Sequence, residues 1–422
     1  MTQVARRHVL YIPGFDPVPP RAYRERYRRE AAVQAEISGY QITHGTAVKD
    51  ARFVWHVDAR VEGEDVATDL EVLCWADIVR KSMVSGIVAT YGQLLKTAWI
   101  YISSGALFRL MGLRKGPMIA ALYPVVVLLL QGGIALALWG AVSFGFFHAT
   151  EVVLGWVEGP APLYQSFSMA RAWFAGLVPG PIAAALFLGW CARKDHLYAW
   201  YLIKDYAFSA RLRGAYPDVQ RVRMAEFADR IAEVLQGGAD EVLVVGHSSG
   251  AYIAISVLAD LIRDGRVPAN GPVLSLLTLG HVVPMVSFLP RANRLRADLA
   301  FLSTQDVPWV DVSAPGDGCT FALCDPVSVS GVAPEGKIWP LVISAAFSQT
   351  LSAKRQDALK WQLFETHFQY LNAFDNLPDA PDAYDYFRIT AGPLTLGDRF
   401  ANRAPSKSRI ERAVNRFTDV AA

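Results

Sequence analysis

The chain has 422 residues and a mass of 46.3 kDa, two or three times a typical domain of ~100–200 residues, which excludes a minimal peptide module. Apolar types make up 52% and charged types 19%, against roughly 25% charged in an average soluble protein, and the mean hydropathy is +0.22; a disordered or fibrous chain is excluded and membrane contact is raised. The 41 basic and 39 acidic side chains give a net charge of +2, too near balance for a polyanion binder, so nucleic acid is not expected as a partner.

Four cysteines, Cys74, Cys191, Cys319 and Cys324, show no CxxC spacing and suggest neither a disulfide framework nor a zinc knuckle. A reducing compartment fits them. Behind Arg6 and Arg7 the apolar run Val9 to Ile12 is far shorter than the ~7–15 residues of a signal-peptide core, so no cleavable export signal is expected.

The first predicted strand, His8 to Ile12, runs into Pro13-Gly14, a strand-ending turn. Arg21, Arg24, Arg26, Arg28 and Arg29, with Glu25 and Glu30 between them, read as a solvated helix face or one that meets anionic headgroups. Strands are predicted at Phe53 to Val57 and Thr68 to Trp75. Then the chain changes character. From Gly116 to Thr150 there are 35 residues without Asp, Glu, Lys or Arg. At ~1.5 Å per helical residue, ~20 residues cross a ~30 Å hydrocarbon layer, so a membrane helix over about 118–146 is expected. A second uncharged stretch, Ala172 to Ala192, carries Pro179-Gly180-Pro181, which would kink or break a helix; it is either a second span or a re-entrant segment. Arg109, Arg114 and Lys115 precede the first stretch and Arg193 and Lys194 follow the second, while the connecting loop carries Glu151, Glu158 and only Arg171. The positive-inside rule then puts both long flanks in the cytoplasm, held at the inner membrane by a hairpin.

Beyond the hairpin, helical spacing at Val219 to Leu235 and Ala251 to Arg263 alternates with apolar strands at Glu241 to Val245, Leu274 to Leu279, Trp309 to Val312 and Ile338 to Ile343. Together these predict an α/β fold with a mostly parallel sheet covered by helices on both faces, built from residues 1–82 and 196–422 and interrupted by a helical insertion over 83–195.

Gly246-His247-Ser248-Ser249-Gly250 matches G-x-S-x-G, and it lies between the strand Glu241 to Val245 and the helical run Ala251 to Ala259. Strand, sharp turn and helix in that order form a nucleophile elbow. Here the chain resembles the α/β-hydrolase superfamily over most of both flanks. The resemblance implies a lipase-like or esterase-like fold and activity, with Ser, acid and His in that chain order. Of the eight histidines only His281 and His367 follow the elbow, and an acid on a later strand leaves His367 as the base. Asp317, in the Pro-Gly turn after Trp309 to Val312, is the favoured acid, with Asp325 as the alternative and Asp311 inside the strand. The resemblance further implies an oxyanion hole made by the amides of Ser249 and Phe15, supported by Gly14. The expected chemistry is cleavage of a lipid-like carboxylic ester through an acyl-enzyme; acyl transfer to another alcohol, or a silent scaffold of the same fold, are the alternatives. The expected partners are a lipid bilayer and an acyl ester. No phosphate loop, dinucleotide fingerprint or metal-ligand spacing is visible, so neither a cofactor nor a metal is expected.

Overall fold

A computed structural model of the chain describes residues 3–45, 53–154, 156, 170, 173–174, 177–378 and 380–420. Glu158, Arg171 and Ala172 lie outside the described residues. The chain divides into two compact units, one formed by Met1–Ser82, Trp99–Ala120 and Ser209–Ala422, the other by Met83–Ala98 and Ala121–Phe208.

The first unit is an α/β structure around an eight-stranded mixed sheet, with strands β1 (Arg6–Ile12), β2 (Gln41–His44), β3 (Val54–Val61), β4 (Glu64–Val72), β5 (Glu241–His247), β6 (Val273–Leu279), β7 (Trp309–Ser313) and β8 (Leu341–Ser344). Their order is β2-β3-β4-β1-β5-β6-β7-β8. From β4 through β8 every pairing is parallel, whereas β2 and β3 add antiparallel strands at one edge. Every residue of β5 is buried, which requires cover on both faces and explains why this strand reads as a continuous apolar run. The strand order reverses between β1 and β5: the chain leaves β1 for one edge and, from β5 onward, builds toward the other. In open α/β sheets the crevice at the carboxyl ends of the strands flanking such a reversal is where ligands sit. At the opposite end, the buried Arg7 guanidinium ties β1 to Glu241 of β5 at 2.7 Å and to the carbonyls of Gly392 and Leu394.

Three expected strands shift. The segment predicted as Ile338 to Ile343 pairs only from Leu341, because Pro340 has no N–H to give a ladder and the amides of Ile338 and Trp339 go to the Ser303 carbonyl. The segment predicted as Thr68 to Trp75 is β4, which ends at Val72; with β3 it forms a hairpin around Glu62 and Gly63, both at positive φ, as a tight primed turn demands. The segment predicted as Phe53 to Val57 accordingly continues to Val61, through the exposed polar residues Asp58 and Arg60.

The helix Lys115–Leu154 has 40 residues and is, among the described residues, the one helix long and apolar enough to cross a membrane. Only 11% of its most apolar window is buried. The second apolar stretch forms the helix Pro179–Lys194, in which Pro179 opens the helix rather than breaking it, since the first turn needs no N–H from that position. Its 16 residues span about 24 Å, short of a ~30 Å hydrocarbon layer. Within the second unit Leu94, Leu128, Ala199, Trp200 and Ile203 form a small apolar core, and the Trp200 indole donates to Gln131 at 2.9 Å.

Candidate active site

Ser248 stands between β5 and the helix Ser249–Arg263 with φ 56° and ψ −119°, a strained conformation for a residue with a side chain. Side chains at the flanking glycines could not be fitted. A Cβ at Gly246 would lie 2.8 Å from the Ala251 Cα, and one at Gly250 would strike the Ile12 carbonyl oxygen. The elbow therefore folds only with this G-x-S-x-G spacing. The Ser248 amide donates to the Leu279 carbonyl of β6 at 2.9 Å, and the side chain is half-buried.

The loop after β1 meets the elbow across the strand-order reversal. A Cβ at Gly14 would sit 2.9 Å from the Ser248 Cβ and 3.3 Å from its Oγ, so only glycine lets this backbone approach the hydroxyl. Phe15 is buried and its ring meets Trp75 edge-on at 5.9 Å, while the Trp75 indole donates to the Pro13 carbonyl at 2.8 Å. Trp75 thus clamps the loop. Ser249 opens a 15-residue helix, where the first amides have no acceptor within the helix and the dipole favours negative charge.

His367 Nδ1 lies 2.7 Å from Asp317 Oδ2 although the two residues are 50 apart in the chain. Asp317 also accepts the Cys319 amide at 2.9 Å, while the Tyr370 hydroxyl accepts the Ala314 amide at 2.9 Å. Burial, and then the neighbouring Asp317 charge, pushes the Tyr370 hydroxyl well above its ordinary range, so it stays protonated. Asp325, the alternative acid, is taken up elsewhere: its carboxylate caps the helix Pro326–Val329 through the amides of Val327 and Ser328 and pairs with Lys337 at 2.7 Å. Asp311 accepts the Thr278 hydroxyl inside the sheet at 2.6 Å.

Residues that no motif announces hold the imidazole in place. The His247 ring stacks on that of His367 with centroids 4.7 Å apart, and its Nε2 donates to the His367 carbonyl at 3.0 Å. That leaves His247 Nδ1 to accept the Tyr11 hydroxyl at 3.2 Å. Burial, reinforced by the charge of His367, holds the His247 pKa well below its usual value, so this ring remains neutral. Gly280, at φ 51°, passes beneath: a Cβ there would come within 2.7 Å of Tyr370 and 3.2 Å of His367 Cε1. Arg26, one of the arginines read as a solvated face or one that meets anionic headgroups, stacks over Phe368 at 4.7 Å and donates to Asn372 at 3.0 Å.

Ser248 Oγ and His367 share no hydrogen bond in this structure. Catalytic bonds are often long or misaligned before substrate arrives, and a serine hydroxyl turns about a single torsion. The arrangement brings together a strained serine, an oriented imidazole and a glycine-lined amide loop at one sheet rim. The comparisons with known proteins find no matching family model, no matching curated protein and no matching solved structure.

Proposed function

We propose that this protein is a membrane-anchored serine hydrolase of the α/β-hydrolase superfamily that cleaves a carboxylic ester with a lipid-like acyl group. The observation that carries the reading is the 2.7 Å pairing of His367 Nδ1 with Asp317 Oδ2 beside a serine held at φ 56°. A hydroxyl attacks at neutral pH only if a base removes its proton. In the proposed reaction Ser248 Oγ bonds to the ester carbonyl carbon as its proton passes to His367 Nε2. Asp317 holds the ring and stabilises the imidazolium. The amides of Ser249 and Phe15 donate to the developing oxyanion; one such donor typically contributes ~10²–10³ in rate. Collapse expels the alcohol, protonated by His367, and water then repeats the sequence on the acyl-enzyme.

An acyl chain is supported by a groove of ≈ 300 Å³ whose walls include Gly316 and Thr366, the chain neighbours of Asp317 and His367; Phe347, Leu351, Leu359, Trp361 and Leu363 give it apolar surface, with Gln356 and Lys360 at its polar side. Membrane attachment is supported by the helix Lys115–Leu154. A core helix of a soluble protein would be mostly buried, whereas Ile119, Leu129, Leu130, Leu136 and Phe144 are exposed. The basic residues that flank the apolar stretches favour a cytoplasmic position for the hydrolase unit.

The test is turnover of p-nitrophenyl esters of increasing chain length by the full chain in detergent, together with labelling by a fluorophosphonate. We expect labelling that disappears in Ser248→Ala and kcat/KM that rises with acyl length. Equal labelling of Ser248→Ala would overturn the assignment.

A further inference from the structure

We propose that Asp317, Cys319 and His367 form a reversible inhibitory site for a borderline-soft divalent cation, of which Zn²⁺ fits the donor set. The inhibitory consequence rests on the hydrolase reading above; the site itself rests on geometry. One ligand atom from each of the three residues lies within 4.8 Å of the other two, with Asp317 and His367 buried and Cys319 half-buried. The donor set is a carboxylate oxygen, an imidazole nitrogen and a sulfur. Zn²⁺ takes these at ~2.0–2.3 Å with tetrahedral geometry, and three protein ligands leave the fourth position for water. Mg²⁺ and Ca²⁺ prefer all-oxygen sites, so the sulfur and nitrogen select against them. The ligands are also held in register. The Cys319 amide donates to Asp317 Oδ1, fixing the Asp-Gly-Cys turn, and Asp317 Oδ2 already meets His367 Nδ1.

Occupancy stops the proposed chemistry whichever ring nitrogen binds. Zn²⁺ on Nε2 takes the lone pair that would receive the Ser248 proton. Zn²⁺ on Nδ1 displaces the proton held there, and the neutral ring then carries its proton on Nε2, which becomes a donor. With the cation on Nδ1, Asp317 turns from orienting the base to ligating the metal. Binding sends the Cys319 thiol proton to solvent, so the cation is held less tightly as pH falls. The Cys319 side chain plays no part in acyl transfer, which makes inhibition separable from activity.

The experiment uses the chelator-treated full chain in detergent, with Zn²⁺ titrated against ester turnover and Co²⁺ added separately as an optical probe. We expect Zn²⁺ to abolish turnover and fluorophosphonate labelling, both restored by EDTA, and Co²⁺ to give a thiolate-to-metal charge-transfer band. In Cys319→Ser the band should vanish and basal turnover should stay within about twofold. Changes in a metal site's outer partners alone cost 10–100-fold in affinity, so losing the sulfur should raise the half-inhibitory Zn²⁺ concentration by at least ~100-fold. Cys319→Ala gives the same readouts should the serine variant not fold. Unchanged Zn²⁺ sensitivity in these variants, or no band in the parent, would overturn the site. A Cys319-dependent band without any turnover would uphold the site and overturn the hydrolase reading; Zn²⁺-insensitive turnover without a band would overturn the site and leave that reading standing.

Discussion

The sheet carries two buried aspartate–histidine pairs, and their ring nitrogens separate them. In one pair, His281 Nδ1 accepts the Val283 amide at 3.3 Å and Nε2 donates to the Cys324 carbonyl at 2.9 Å, with Asp311 3.6 Å from Nε2. Both nitrogens are spent on backbone. In the other pair, His367 commits Nδ1 to Asp317, and among the described residues its Nε2 makes no hydrogen bond. His247 resembles His281, with one nitrogen given to Tyr11 and one to a carbonyl. Burial does not divide these rings, since His367 is 6% exposed and His281 fully buried. What sets His367 apart from the other two rings is that its neighbours satisfy one nitrogen and, among the described residues, leave the other without a hydrogen bond, as the proposed base requires.

The sharpest way to break this comparison is to delete each ring in turn. On the proposed hydrolase reading, His367→Ala should lower kcat of the folded protein by about 10⁶-fold, and it should also cost ~1–3 kcal/mol because the buried Asp317 carboxylate loses its donor. His281→Ala should keep kcat of the folded protein within a few-fold and cost ~1–3 kcal/mol, because it leaves the Cys324 carbonyl buried without a donor. Steady-state kinetics beside thermal unfolding of both variants gives the answer; equal kinetic losses would erase the distinction. A step down, Asp317→Asn should cost about 10⁴ in kcat by holding the wrong tautomer, and Asp311→Asn should leave kcat within a few-fold. Gly280→Ala tests positioning without touching a polar group: its methyl would press on Tyr370 and His367 Cε1, and a displacement of ~1 Å is expected to cost about 10² in kcat with KM little changed.

The smallest effect concerns pH. Burial raises the Asp311 pKa above that of an unfolded aspartate. In the window between the two values the folded state holds more protons than the unfolded one, so this group's contribution to stability is full at low pH and is lost as pH rises through the folded value. Asp311→Asn should flatten that part of the melting-temperature profile, measured from the ordinary carboxylate range upward. An unchanged slope would show that Asp311 does not contribute it.

Sequence reasoning singled out Ser248, Asp317 and His367 because their signals are local or ordinal: a crowded turn between strand and helix, a Pro-Gly turn after an apolar strand, and chain order; of these the structure pairs His367 with Asp317. It missed the supports for a common physical reason. Tyr11 and His247 are 236 residues apart, Trp75 and Pro13 are 62 apart, and Cys319 joins His367 only once β7 and the segment after β8 converge. No spacing encodes such contacts. β2 escaped because Gln41-Ile-Thr-His is short and polar and lies at an edge, where the burial alternates only between exposed and half-buried and Ile42 is the one apolar residue to mark it.

The centre of the sheet joins β1 to β5 through partners such as Arg7 and Glu241, 234 residues apart. At a ribosomal pace of ~5–20 residues per second, one side of the apolar strand Val9 to Ile12 waits roughly 10–50 s for its neighbour to be synthesised. During that interval the nascent chain presents an open ladder that any passing strand could complete. Yield in a cell should therefore depend on how fast translation moves through the intervening helices and on which chaperone shields the amino-terminal hairpin meanwhile.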